Sequence, residues 1–205
     1  MNEDAKQAGL AILQDLALWN RTAVFLEQEI ERAAYRKCEN ALTAWCKKHD
    51  WHRGGTEKTD LENIWLAPKH WDIGDDNWLA GFWFCRRPDH TSNSYGVADL
   101  VGQGETDFGF YFDVDYKHIG GKKPWMAYIS RSSFHIDRFA EHGWENLGEG
   151  IFFLPAKLNV ESLISSWETG KWTHLTDPIT DHLDSIVEHL ELFDTFLEGA
   201  KSIQR

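Results

Sequence analysis

An α+β protein built around one antiparallel sheet is expected from three features of this 205-residue chain. Apolar residues near the amino end recur at helical spacing, those in the middle alternate at strand spacing between short turns, and helical spacing returns after residue 159. Helices, then a run of strands, then helices again is the order of an α+β fold, not the alternation of a parallel α/β fold. Residues 1–205 read as one domain, helical over 1–50, sheet over 61–156 and helical over 159–205.

The first helix is carried by apolar positions 16, 19, 23, 26, 30, 34, 38, 42 and 45, whose steps are all three or four. Asp4 to His49 contains no Pro and a single Gly. If unbroken, about 45 residues at 1.5 Å each make a rod of about 65 Å. A compact domain of this length is roughly 43 Å across. The rod therefore breaks, near the cap residues of Asn20-Arg21-Thr22, or projects and pairs with a second copy as a homodimer.

Residues 52–60 (HRGGTEKTD) are a polar connection, after which the period changes from 3.6 to 2. About five strands are expected, at 61–67, 78–86, 108–115, 124–130 and 150–155. Turn signals separate them: Gly74-Asp75-Asp76-Asn77, Pro88-Asp89, Gly102-Gln103-Gly104 and Gly120-Gly121. Short connections imply an antiparallel meander packed against the long first helix and the carboxyl-terminal helices. A short helix is expected at 131–142, another at 159–168 behind Asn159, and a last at 178–200, opened by Asp177 and Pro178.

Composition narrows the function. The chain is 42% hydrophobic and 26% charged, which suits a core-forming protein, and its net charge of −12 repels nucleic acid. A basic protein partner is expected, with no direct nucleic-acid contact, no membrane and no cofactor. Cys38, Cys46 and Cys85 are an odd set behind an amino end with no secretion signal, so a cytoplasmic setting is expected.

Two patterns could carry chemistry. Pro88-Asp89 followed by Asp115-Tyr116-Lys117 has the written form of a PD-(D/E)xK nuclease site, in which two carboxylates hold Mg²⁺ and a lysine orients the attacking water. Asp89, Asp115 and Lys117 are its candidate residues, although Pro-Asp is also an ordinary turn dipeptide. Cys46 and His49 share a helical face and, with His52, offer three zinc-ligand types, against the plainer reading of a stripe cysteine and a histidine at a helix end.

Two surface features point to a binding role instead. Between Lys171 and Lys201 there is no Lys or Arg, while Asp177, Asp181, Asp184, Glu188, Glu191, Asp194 and Glu198 supply seven carboxylates. Asp181, Asp184, Glu188 and Glu191 follow one helical face. Like charges at this spacing repel, so the face serves solubility or a basic partner. Among the 11 tryptophans, Trp71, Trp144 and Trp172 lie beside loop signals and are candidate interface anchors.

The long charged helix ending at Trp51, the segment Ile64-Trp65-Leu66-Ala67-Pro68-Lys69-His70-Trp71, the aromatic strand at 78–85 and the acidic last helix resemble the accessory region downstream of the catalytic core in bacterial PD-(D/E)xK nuclease superfamily proteins. The resemblance spans residues 20–200. It implies an accessory module without the nuclease core, in a bacterial or phage setting. The favoured expectation is a non-catalytic acidic protein-binding module, acting as inhibitor, immunity protein or accessory subunit. The alternative is a Mg²⁺-dependent nuclease.

Overall fold

The computed structural model describes residues 2–55, 64–75 and 77–202. Asn2 opens α1 (Glu3–Gln14) by accepting the Ala5 amide hydrogen bond at 2.8 Å. Asp15, at φ −137° and ψ 54°, ends that helix and caps α2 (Leu16–Phe25). The chain then runs through a wider π-helical turn, Leu26–Glu31, into α3 (Arg32–His49). The break expected at Asn20-Arg21-Thr22 therefore falls at Asp15. The Asp15 carboxylate takes the Leu18 amide, whereas the Thr22 hydroxyl turns back onto the Leu18 carbonyl at 3.0 Å and stays inside the helix.

From Leu16 to His49 the rod is about 50 Å long, so it overhangs the body. The stripe is buried from Ala34 through Cys38, Leu42 and Trp45, while α1 and α2 bury no residue at all. Glu31 anchors the rod where it meets the body, accepting the Val97 amide of α4 (Gly96–Leu100) at 2.8 Å.

Among the described residues, six strands form one antiparallel sheet in the order β1-β2-β5-β6-β8-β7. They are β1 (Trp51–Gly54), β2 (Trp65–Pro68), β5 (Ala80–Arg86), β6 (Phe108–Val114), β7 (Glu145–Gly148) and β8 (Ile151–Pro155). A separate hairpin joins β3 (Asp72–Gly74) to β4 (Asn77–Trp78) at the expected turn. Register assigns the two faces: Leu66 pairs with Phe82 and Phe82 with Phe112, all fully buried, while Trp65 pairs with Trp83 and Trp83 with Tyr111 on the other face.

The inner face is covered by helices. Phe193 and Phe196 of α9 (Leu190–Lys201) and Phe139 of α6 (Ser133–Glu141) pack on Phe82, Phe112 and Phe152, with ring centroids 4.5–6.4 Å apart. α8 (Thr173–Glu188) lies against α3, and α7 (Val160–Thr169) starts at Asn159, whose side chain takes the Ser162 amide. The architecture is thus α+β, with helices on one face of an antiparallel sheet.

Several local details differ from the expectation. Residues 124–130 are not a strand but most of α5 (Lys122–Ile129), because Trp125 and Tyr128, three apart, share the buried side of a helix. Residues 52–54 are edge strand, not connection, and the strand expected over 61–67 begins at Trp65, its first three residues lying outside the described ones. Pro178 does not open the last helix. α8 starts five residues earlier at Thr173, and the helical run is divided at His189 into α8 and α9. β7 was not expected. It is half-polar, and its pairing with β8 supplies the order its sequence lacks.

Candidate functional site

The nuclease set is not brought together. Arg86 pairs with Phe108 at one end of the β5–β6 ladder and Ala80 with Val114 at the other, so Asp89 and Asp115 leave from opposite ends, roughly 20 Å apart along the strands. One ion cannot bridge carboxylates so placed. Asp89 instead accepts from Arg87 at 2.8 Å, and Arg87 also grips Glu145 of β7, which holds the guanidinium charged.

The zinc set is divided by the sheet. Cys46 faces the core at 2% exposure, and burial pushes its thiol up to about 12, away from the thiolate a zinc ion needs. His49 stacks on Trp45 at 4.2 Å on the helix side. Trp51 of β1 stacks inward on Phe82, so the next residue, His52, points to the opposite face, onto Trp78 at 4.3 Å. Among the described residues, no group of three His, Cys, Asp or Glu is placed to hold a metal ion.

The aromatic anchors are mostly core. Trp71 is 2% and Trp144 4% exposed, both packed on Phe82, and Trp172 is half-buried beside Trp167. A loop tryptophan folds back when its indole N–H finds an acceptor, and Trp71 donates to Asp194 at 2.7 Å.

The acidic face divides into two kinds of carboxylate. Asp184 accepts the Trp45 indole N–H at 2.7 Å and lies 3.6 Å from His49 Nε2, and Asp194 accepts from both Trp71 and His70. These two stitch α8 and α9 to α3 and the sheet. Asp177, Asp181, Glu188, Glu191 and Glu198 are exposed and make no ion pair with any described residue.

A second surface lies on the outer face of the sheet, where the strand alternation of Trp65 and Trp83 reads as core but leaves both rings half-buried. Trp65, Trp83 and Tyr111 sit in register across β2, β5 and β6, one ring per strand, and the row continues to Phe153 of β8, which is fully buried beneath Arg87. At one end of this row opens a groove of about 460 Å³, lined by Trp65, Trp78, Trp83, Asp113, Asp115 and Lys117 among others. Gly54 and Gly81 make room for the Trp65 ring, since a Cβ on Gly54 would stand 2.1 Å from it and one on Gly81 3.3 Å. Gly81 pairs directly with Asp113, so the floor beside that carboxylate carries no side chain. Burial raises the Asp113 carboxyl above the usual aspartate range, with Asp115 adding to the effect, while amide and Tyr111 hydroxyl hydrogen bonds pull it down.

Comparison with protein-family models, curated proteins and solved structures gives no match. No described helix is long and apolar enough to cross a membrane.

Proposed function

We propose that this chain is a binding module for a basic protein partner, engaged through the outer carboxylates of α8 and α9, in the manner of an inhibitor, immunity protein or accessory subunit. The observation that carries the reading is that Asp181, Glu188 and Glu191 form no ion pair with any described residue, on a 29-residue stretch without a single Lys or Arg. The fold needs Asp184 and Asp194, but among the described residues it makes no ion-pair use of the other three. A surface of one sign attracts its partner over about a Debye length and raises the encounter rate. The test is titration with a Lys/Arg-rich peptide at two salt concentrations, comparing the native chain with D181K/E188K/E191K. Binding lost in the triple variant and weakened by salt supports the reading. Equal binding by the two proteins overturns it.

A homodimer through the amino-terminal arm is a second reading, favoured by apolar area. Leu13, Leu16, Trp19 and Phe25 are 68%, 57%, 49% and 50% exposed, and four further large apolar side chains of the arm are exposed with them. So many large exposed apolar side chains on one arm exceed the singly scattered ones of an ordinary monomer surface. The same stripe is covered by helix in the body, and between Gln7 and Leu26 the arm carries one acid and one base, so its charge selects neither a basic partner nor an anionic membrane. Sedimentation of the full chain should show a dimer that L13E/L16E converts to monomer. A monomer at high micromolar concentration would refute it.

A further inference from the structure

We propose that the groove on the outer face of the sheet is a binding site for an alkylammonium head group, either free or carried on a side chain of another protein. This site lies on the far side of the sheet from α8 and α9 and does not depend on the reading above.

Shape comes first. The Trp65 and Trp78 rings meet at 66° with centroids 5.5 Å apart, and Trp65 and Trp83 at 39° and 6.2 Å. Planes set at such angles form a corner. A flat heterocycle stacks on one plane or slides between two parallel ones, whereas a tetrahedral head group touches all the walls of a corner at once. His52, stacked on Trp78 at 4.3 Å and 4.9 Å from Trp65, backs the corner and holds both rings in place.

Charge then selects the guest. Indole faces attract cations through the ring quadrupole, most strongly where water is excluded. Asp113 and Asp115 stand on the same wall, with the Asp115 carboxylate accepting the Lys117 amide at 3.1 Å and lying 3.6 Å from His118 Nε2. An anion would meet both carboxylates in a chain of net charge −12. A neutral apolar guest would desolvate Asp113 further without giving it a counter-charge. An alkylated ammonium does the reverse, covering the indoles with its methyl groups and placing its charge beside Asp113. Among the described residues, Lys117 is the one opposing charge in the lining, and it is exposed at the rim.

Asp113 also ties binding to pH. A cation favours its ionised form, so affinity should rise with pH through the elevated Asp113 range and level off above it. Among the described residues, Tyr111, Asp115, Tyr116, Lys117, His118 and His52 are the other titratable groups around the groove. The Asp113 contribution is therefore read from the difference between native protein and D113N.

The experiment is a tryptophan-fluorescence titration of the full chain with choline and with its neutral carbon analogue 3,3-dimethylbutan-1-ol, repeated with a peptide bearing trimethyl-lysine to separate a free ligand from a protein-borne one. Choline or the peptide should bind roughly two- to fivefold tighter than the neutral analogue, the size of a single exposed cation–aromatic contact. D113N should remove most of that preference and its rise with pH, while K117Q should tighten binding several-fold. Unchanged thermal midpoints show that both variants remain folded. The proposal is overturned if the neutral analogue binds as well as choline, if K117Q weakens binding, or if neither cation perturbs the fluorescence of folded protein.

Discussion

Removing the Asp184 side chain separates a structural carboxylate from a surface one. Asp184 lies in the acidic series with Asp181 and Glu188, yet its oxygen takes the N–H of Trp45, an indole only 5% exposed, at 2.7 Å. Asp184→Ala leaves that donor buried without a partner and frees the His49 ring stacked on the same indole. A hydrogen bond to a charged acceptor contributes about 1.5–3 kcal/mol, and the half-exposed carboxylate argues for the lower part of that range, about 2 kcal/mol. In a chain of this length such a loss lowers the thermal midpoint by about 4–8 °C. Asp184→Asn keeps an acceptor but not its charge and should lose about half as much. Asp181→Ala, Glu188→Ala and Glu191→Ala should each stay within about 0.5 kcal/mol of the native protein. Equilibrium urea unfolding compares the five variants with the native protein directly. Should Asp184→Ala unfold at the same urea concentration as Asp181→Ala, the division of the acidic face into stitching and free carboxylates is wrong.

Three other outcomes are expected. Gly109→Ala would place a Cβ 2.2 Å from the Leu154 carbonyl oxygen, a backbone clash that should cost at least about 2 kcal/mol by separating β6 from β8, whereas Gly9→Ala meets no atom within 4 Å and should stabilise by about 0.5–1 kcal/mol; paired melting curves decide it. Burial lowers His135, and burial together with His189 and Arg138 lowers His142, so the unfolded chain takes up these protons first. Their contribution to stability is whole above about pH 6.5, is lost as pH falls toward the lowered values, and then levels off, so His142→Gln should flatten the fall in thermal midpoint between pH 7 and 5. Cys38 and Cys46, whose thiols burial pushes up to about 12, should resist a thiol reagent in the native state, with half-buried Cys85 reacting first; three equal rates would contradict the burial.

Much of the framework was readable from residue order. The helical stripe from Ala34 to Trp45, the strands at 80–86 and 108–114, the turn at Gly74-Asp75 and the cap at Asn159 all rest on interactions within a few residues of each other. The misread elements depend on distant partners. Residues 122–129 contain strand-forming aromatics, yet Trp125 and Tyr128 meet Phe196 of α9, and only a helix turns both toward it. The acidic helix face and the tryptophan count were equally visible, but which members were surface was not. Trp71 and Asp194 are 123 positions apart, as are two halves of one hydrogen bond, and no local pattern encodes that meeting.

The amino-acid order by itself determined the α+β composition, the surplus of negative charge and the period of each main element, since these arise from local geometry and from summation over side chains. Only the tertiary structure decided which carboxylates are held, which tryptophans are covered, that Asp89 and Asp115 are kept apart, and that Trp65, Trp78 and Trp83 enclose a groove beside Asp113. The reason is that each of these depends on strand register and helix docking, which set distances between residues far apart in the chain.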